Sequence, residues 1–334
     1  MPVPLRQSIR VGTYLAKQRI ARREKFPLIV ELEPLFQCNL ACSGCGKIQH
    51  PEHELRRRMP VDQALGAIEE SGAPMVSIAG GEPLIHPEID VIAAELVKRH
   101  KFVYLCTNAL LMERKLDRFE PSPYFAWAVH IDGLRERHDA SVEREGVFDK
   151  AVKAIKAAQQ RGFRVTTNTT FFTHDTPQTV QRVLDFLNDE LQVDQMMISP
   201  AYAYEKAPDQ DHFLGVRQTR ELFREAFADG RRKKWRLNHT PLFLDFLEGK
   251  ADFQCTAWGI PSYSLFGWQR PCYLMADGYA KTYKELIETT DWDKYGRGRD
   301  PRCDNCMAHC GYEPTAVLAT THSVRQSLRA AFSR

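Results

Sequence analysis

Three cysteines lie within the short run Cys38-Asn39-Leu40-Ala41-Cys42-Ser43-Gly44-Cys45, close enough to share one loop. Three thiolates can hold three corners of a cubane 4Fe-4S cluster, and a fourth corner without a protein ligand leaves one iron open to a small molecule. The same thiols with His50 or His53 as a fourth ligand would suit tetrahedral zinc, so spacing alone leaves both readings standing. Further along, Cys272 and the run Cys303-x-x-Cys306-x-x-x-Cys310 form a second set of thiols. An iron-sulfur cluster, zinc and no metal all remain open there. Cys255 has no evident partner and reads as packing.

Cys106 ends an apolar run, Phe102 to Cys106, that has the composition of a strand. A buried free cysteine is ordinarily a small hydrophobe. The alternative is chemical: a thiol S–H is weaker than a tertiary C–H, so Cys106 can quench a carbon radical by giving up a hydrogen atom. Gly80-Gly81-Glu82-Pro83, taken alone, is equally an ordinary turn.

These residues need elements to position them. From residue 28 onward, runs rich in β-branched and aromatic residues alternate with helix-like stretches, the rhythm of a parallel sheet built from βα units. Strands are expected at Leu28 to Glu33, Met75 to Ala79, Phe102 to Cys106, Ala126 to Ile131, Arg164 to Thr170 and Gln195 to Ser199. Helices are expected from Val61, Pro87, Met112, Val147, Pro177 and Arg217, with proline near the first turn where its missing N–H costs nothing. Six such repeats close most of a barrel. Loops at the carboxyl ends of barrel strands converge over the interior, and here they carry GGEP, then Cys106 to Asn108, His130 to Gly133, Thr167 to Thr170, and Ser199 to Tyr204. Gly80, Gly81, Glu82, Asn108, His130, Asp132, Asn168 and Ser199 are the expected cofactor contacts. Asp139 reads as a helix cap.

The chain divides into residues 1–26, a basic amphipathic helix; 27–234, the barrel; and 235–334, a smaller α+β extension rich in aromatics and cysteines. Residues 2–25 hold seven basic residues and one acid, while Leu5, Ile9, Gly12, Ala16 and Ile20 recur at helical spacing. That helix either rests on anionic lipid or packs across the end of the barrel. In the extension, Cys272 to Tyr283 is expected to be a hairpin turning at Asp277-Gly278. A basic helix is expected around Val324 to Phe332.

Formal charge is +3, from 46 Lys and Arg against 43 Asp and Glu, too balanced for nucleic acid as the main partner. Nine cysteines without a secretory leader point to reduced thiols in the cytoplasm rather than disulfides. No apolar run approaches the roughly 20 residues that span a bilayer, which leaves peripheral contact with the inner face of the cytoplasmic membrane as the one membrane option.

A CxxxCxxC loop after the first strand, GGEP after the second and a six-fold βα rhythm together resemble the radical S-adenosylmethionine (SAM) superfamily. The resemblance implies an α/β fold, a partial (β/α)6 TIM-like barrel. It also implies a 4Fe-4S cluster on Cys38, Cys42 and Cys45 whose open iron chelates SAM, and an electron donor of flavodoxin or ferredoxin type. GGEP would then approach the SAM ammonium, with Glu82 compensating charge or bracing the loop. His130 stands where the superfamily commonly has a serine that reaches the ribose. Gly44 is a departure, since an aromatic residue that packs on adenine usually precedes the third cysteine. The C-terminal thiols resemble shortened auxiliary-cluster extensions.

CNLACSGCGKIQH, AGGEPLIHPEI, YLCTNA, VHIDG and SPAYAYEKAPDQ further resemble the hopanoid-pathway branch, the adenosylhopane synthases. That resemblance implies addition of a 5′-deoxyadenosyl radical to the terminal alkene of diploptene, followed by reduction of the new radical. A rigid hydrocarbon needs an apolar channel, and Trp235, Trp258, Trp268, Phe243, Phe246, Phe253, Phe266, Tyr202 and Tyr204 are the expected lining. Two alternatives stay open: a radical SAM enzyme that modifies a peptide or protein, and a non-catalytic iron-sulfur carrier or scaffold.

Overall fold

The computed structural model describes residues 4–322 of the chain. Six parallel strands form in chain order: β1 (Ile29–Leu32), β2 (Met75–Ile78), β3 (Phe102–Thr107), β4 (Phe125–His130), β5 (Arg164–Phe171) and β6 (Gln195–Pro200). All lie within two residues of the expected bounds, because β-branched and aromatic runs mark them clearly. Helices Val61–Ser71, Ile89–Lys98, Val147–Gln160, Pro177–Asp185 and Val216–Ala226 cross back between or after them. Thr176 caps the fourth of these, its side chain accepting from Thr179 N while Pro177 fills the first turn. The helix expected from Met112 amounts to one turn, Met112–Lys115, before a 3-10 turn takes over.

The sheet runs β6-β5-β4-β3-β2-β1-β7-β8-β9. Outward residues such as Val103, Leu105, Trp127, Val129 and Val165 are buried against Ile92, Leu96, Ala151 and Ile155 of the surrounding helices. Inward residues are of another kind: Ser77, Cys106, His130 and Asn168 face the interior. Side chains alternate along a strand, so register decides which residues meet there, with Cys106 beside Ala128 and His130 beside Asn168.

Residues beyond 234 are built onto this sheet. Strand β7 (Ser262–Ser264) pairs parallel with β1, then β8 (Gly267–Gln269) and β9 (Tyr279–Ala280) follow antiparallel. At the other edge Leu237 forms a parallel bridge with Met196. The expected hairpin is corrected here. Its outgoing arm is β8, upstream of Cys272, and Cys272 lies in the connection to β9.

The N-terminal helix (Leu5–Ile20) lies across the amino end of the barrel. Its buried face is Gln7, Leu15 and Gln18, not the stripe of Leu5, Ile9 and Ile20, which is exposed. Gln7 Nε2 donates to Tyr104 Oη at 2.8 Å and Tyr14 Oη to Pro27 O at 2.8 Å, whereas the buried Oε1 of Gln18 has no hydrogen-bond partner among the described residues. The C-terminal helix (His309–His322) packs beside it through Val317 and Leu318. The basic helix expected around Val324 to Phe332 lies outside the described residues. Among the described residues no helix is long and apolar enough to cross a membrane.

Candidate active site

A cavity of about 840 Å³ runs down the barrel interior from the cysteine loop to the two terminal helices. Cys38, Cys42 and Cys45, all half-buried, line its carboxyl-end wall. The loop is held locally: Cys45 N donates to Cys42 O at 3.1 Å, and Leu40 N points at Cys38 Sγ at 3.4 Å. Asn108 Nδ2 donates to Asn39 Oδ1 at 2.7 Å and approaches Cys38 Sγ at 3.8 Å. Burial raises all three thiols above the ordinary cysteine value, Cys38 to about 11. Thiolates in such a place need cationic compensation, which bound iron provides. The cysteines of a cubane each take a separate iron around one shared cluster. Half-buried thiols on one loop over a deep cavity thus fit a cluster in donor type and placement.

GGEP docks directly on the segment leading into Cys38. Gly81 N donates to Leu35 O at 3.0 Å and Glu82 N to Gln37 O at 2.9 Å. A Cβ at Gly80, where φ is +104°, would stand 2.3 Å from Leu35 O, and one at Gly81 would stand 2.1 Å from Gln37 O. Only glycine permits that approach. Glu82, 1% exposed, accepts from Leu84 N, Thr107 Oγ1 and Asn108 N at 2.8–3.0 Å. It ties the end of β2 to the end of β3. Burial lifts its carboxyl to about 7 against those hydrogen bonds.

On the opposite wall His130 Nε2 and Asp132 Oδ2 pair at 2.6 Å, and Asp132 Oδ1 accepts from Thr170 N at 2.8 Å. Burial works to lower His130, but Asp132 outweighs it and holds the imidazole above its ordinary value. Burial likewise pushes Asp132 up, while His130 pulls harder and leaves it low. Asp132 N donates to Nδ1 of the buried His138, which burial depresses to about 4. Asp139 does cap: its carboxylate accepts from Gly146 N and Phe148 N at the start of the Val147–Gln160 helix.

Cys106 faces the cavity among Tyr104, Ala126, Ala128 and Met197, with Sγ 3.5 Å from Ser77 Oγ. Burial pushes its thiol up to about 12, so it holds its proton at any working pH. Asn168 lines the cavity, whereas Ser199 does not: it is buried and its Oγ donates to Pro200 O. The expected aromatic lining also needs correction. Trp235, Trp268, Phe243 and Phe246 are core, Phe253 and Phe266 pack against it, and Trp258 packs on Phe26. Of that set Tyr202 and Tyr204 reach the cavity, joined by Tyr104, Phe172 and Tyr273.

Several cavity residues were not foreseen. Glu31 rides on β1, and Lys47, two residues after Cys45, pairs with Glu33, which follows that strand and lines a smaller neighbouring pocket. Burial, with Glu33 beside it, pushes Glu31 up to about 8 against the pull of Lys47. Lys47 Nζ also sits 4.8 Å from the ring centre of Tyr273, whose hydroxyl meets that of Tyr202 at 2.5 Å. An acid, Glu31, at an inward position of an otherwise apolar strand was the available signal. Phe172, on the loop after β5, stands 3.6 Å from where a Gly44 Cβ would be, and nothing in the local sequence links the two.

The C-terminal thiols gather behind Tyr273. Cys272, Cys303, Cys306 and Cys310 share one packed cluster with Tyr202 and Tyr204. Cys255 packs against the main core, as its reading as packing expects, and also lies near Cys306, Cys272 and Cys303, its Sγ 2.3 Å from where a Gly311 Cβ would be. Burial raises all five thiols, Cys306 to about 11 and Cys272 to about 12.

Comparison with known proteins accords with this geometry. Residues 32–187 match the family described as the radical SAM superfamily, and residues 196–330 match a domain of unknown function, DUF3463. The Fe-coproporphyrin III synthase of Methanosarcina barkeri is 24% identical over 147 residues, which cover 43% of this chain and 36% of that protein. A GTP 3′,8-cyclase of Mycobacterium tuberculosis is 25% identical over 144 residues, 40% of each. The match thus spans well under half of these curated relatives. Streptococcus suis SuiB, solved bound to its precursor peptide SuiA, superposes with a TM-score of 0.67 at 16% identity over 92% of this chain and 76% of that one. The enzyme anSMEcpe with bound AdoMet superposes with a TM-score of 0.60 at 17% identity over 92% of this chain and all of that one.

Proposed function

We propose that this chain, whose residues 32–187 match the radical SAM superfamily, is a radical SAM enzyme, an adenosylhopane synthase that joins the 5′-deoxyadenosyl group of SAM to the terminal alkene of diploptene. Cys38, Cys42 and Cys45 would hold the 4Fe-4S cluster; once reduced, it supplies the electron that splits SAM into methionine and the adenosyl radical. The Gly80–Glu82 loop, Asn108, Asn168 and the His130–Asp132 pair would hold SAM at the polar end of the cavity.

The observation that carries the reading is Cys106. Radical addition to an alkene leaves a carbon radical one hydrogen atom short of product. A thiol that burial keeps protonated projects into the same cavity, between the cysteine loop and the apolar end. Cys106 gives its hydrogen atom to that carbon and becomes a thiyl radical. One electron and one proton then restore it. Over the cycle SAM, the alkene, two electrons and a proton yield the adduct and methionine, both electrons coming from a flavodoxin- or ferredoxin-type donor. The thiols behind Tyr273, Cys255 among them, would hold an auxiliary cluster.

The test is to incubate the reduced, reconstituted protein with SAM and diploptene and look by mass for the covalent adduct. Adduct formation supports the reading. Free 5′-deoxyadenosine with no adduct overturns the diploptene assignment, and no SAM cleavage at all overturns catalysis in favour of a carrier. A peptide-modifying enzyme would be expected to line the far end of the cavity mainly with polar groups, whereas Val11, Leu15, Leu28, Met75 and Val317 stand there beside Gln7, Ser8 and Thr320.

A further inference from the structure

Four large hydrophobic side chains are exposed among the described residues, and three of them, Leu5, Ile9 and Ile20, at 59%, 60% and 84%, lie on the N-terminal helix. Scattered surface hydrophobics need no explanation, but these fall on one stripe, continued by Gly12 and Ala16 at steps of three and four residues. The helix is anchored by its other face, through Gln7, Leu15 and Gln18, so the stripe is presented outward by a fixed support. At 100° per residue, Arg6, Arg10 and Lys17 stand on one shoulder of the stripe and Arg19 on the other. No acid occurs in the helix.

Ser8, Val11, Gly12 and Leu15 of the same helix, with Val317 and Thr320 of the C-terminal helix, also form the amino-end mouth of the cavity. A Cβ at Gly12 would meet nothing within 4 Å. The exposed stripe and the mouth are therefore adjacent.

We propose that the outer face of the N-terminal helix docks on an anionic lipid bilayer, setting the mouth at the membrane surface so that an apolar substrate enters directly from the lipid. The basic shoulders meet the headgroups and the stripe enters the acyl boundary. Each basic residue near such a surface raises partitioning about fivefold, and salt weakens that attraction. The entry route rests on the hydrocarbon reading of the site. The docking does not.

The test is flotation of the full-length, reconstituted protein with vesicles of phosphatidylcholine alone or mixed with phosphatidylglycerol. Binding to the anionic vesicles should exceed binding to the neutral ones at least tenfold and fall with added salt. Ile9→Glu with Ile20→Glu should cut it at least tenfold while leaving reductive SAM cleavage unchanged, since neither residue lines the cavity. Equal flotation of wild type and variant, or none of either, overturns the proposal. So does a variant that changes only the sedimenting mass, which would mean that a second copy covers the stripe. Bound protein that makes no adduct from diploptene-loaded anionic vesicles would instead refute the substrate reading and leave the docking in place.

Discussion

The two glycines of the GGEP loop allow a graded test of how that loop supports the cysteine loop. Gly80 combines two constraints: a φ of +104° and a virtual Cβ 2.3 Å from Leu35 O, so an alanine must move one backbone away from the other by about 0.7 Å. The conformational part costs roughly 1–2 kcal/mol. The displacement strains two hydrogen bonds that join the loops, Gly81 N to Leu35 O and Glu82 N to Gln37 O, each worth about 0.5–1.5 kcal/mol. Gly80→Ala should therefore cost about 2–5 kcal/mol. Gly81→Ala meets Gln37 O at 2.1 Å without the φ penalty and should cost about 1–3 kcal/mol. Gly72→Ala is the control: φ is +69° but nothing lies within 4 Å, so only about 1 kcal/mol is at stake. Urea unfolding of the cluster-free chain measures stability, and iron content after reconstitution reports on the cysteine loop. The Gly80 and Gly81 variants should lose iron, because Leu35 to Gln37 runs straight into Cys38. If Gly80→Ala matched Gly72→Ala in stability and kept its iron, the glycines would not be docking residues.

Three further outcomes follow from the same geometry. Cys106→Ala should cleave SAM at the wild-type rate while the reduced adduct falls at least tenfold; unchanged product amount and stereochemistry would remove Cys106 from the reaction. Phe172→Ala should raise the KM for SAM about tenfold, within the 1–3 kcal/mol that base–aromatic stacking provides. Adding Gly44→Phe should restore it, and a double variant no better than the single one would sever Phe172 from adenine. His130 is held above the ordinary histidine value of about 6.5 by Asp132, a stabilisation complete below that pH and lost as pH rises through the folded value. Wild type should lose stability over that window and Asp132→Asn should not, as measured by urea midpoints across the range.

The strands were legible because burial on both faces of a parallel sheet leaves long β-branched and aromatic runs, and the cysteine loop and GGEP because their spacing is short-range. What escaped was long-range. Ser262–Ser264 joins β1 from more than 200 residues away, a pairing no local pattern announces. The aromatics of the extension were read by type, yet type does not say which face of an element a side chain occupies, and Trp268 and Phe243 went to the core. The N-terminal helix shows the same limit in reverse: its most regular apolar stripe is the exposed one, because Tyr104 offers Gln7 a hydrogen-bond partner inside the barrel. The contact between Phe172 and the space over Gly44 exists only once β5 and the cysteine loop share one barrel end.

The distribution of polarity along the cavity bears on where the reaction must occur. Charged and amide groups crowd the carboxyl end: Glu82, Asn108, Lys47, and the His130–Asp132 pair. Fixed charges there are sustainable because each is paired or multiply hydrogen-bonded, as with Asp132 on His130 and Thr170 N. The amino end is lined mainly by Leu15, Leu28, Met75 and Val317, with Gln7, Ser8 and Thr320 beside them, and the Gln7 amide is already engaged by Tyr104 Oη. Cys106 is the second-last residue of β3, one inward step below Asn108, with Tyr104 one step deeper. It therefore sits at the boundary between the two regions. A zwitterionic sulfonium held above and an alkene held below would meet at that height, and the carbon radical left by their union would lie on the apolar side of the new bond. Among the described residues, Cys106 is the one cysteine on the inward face of the six parallel strands, and under the proposed reaction its level in the barrel is the level at which a hydrogen atom would be needed.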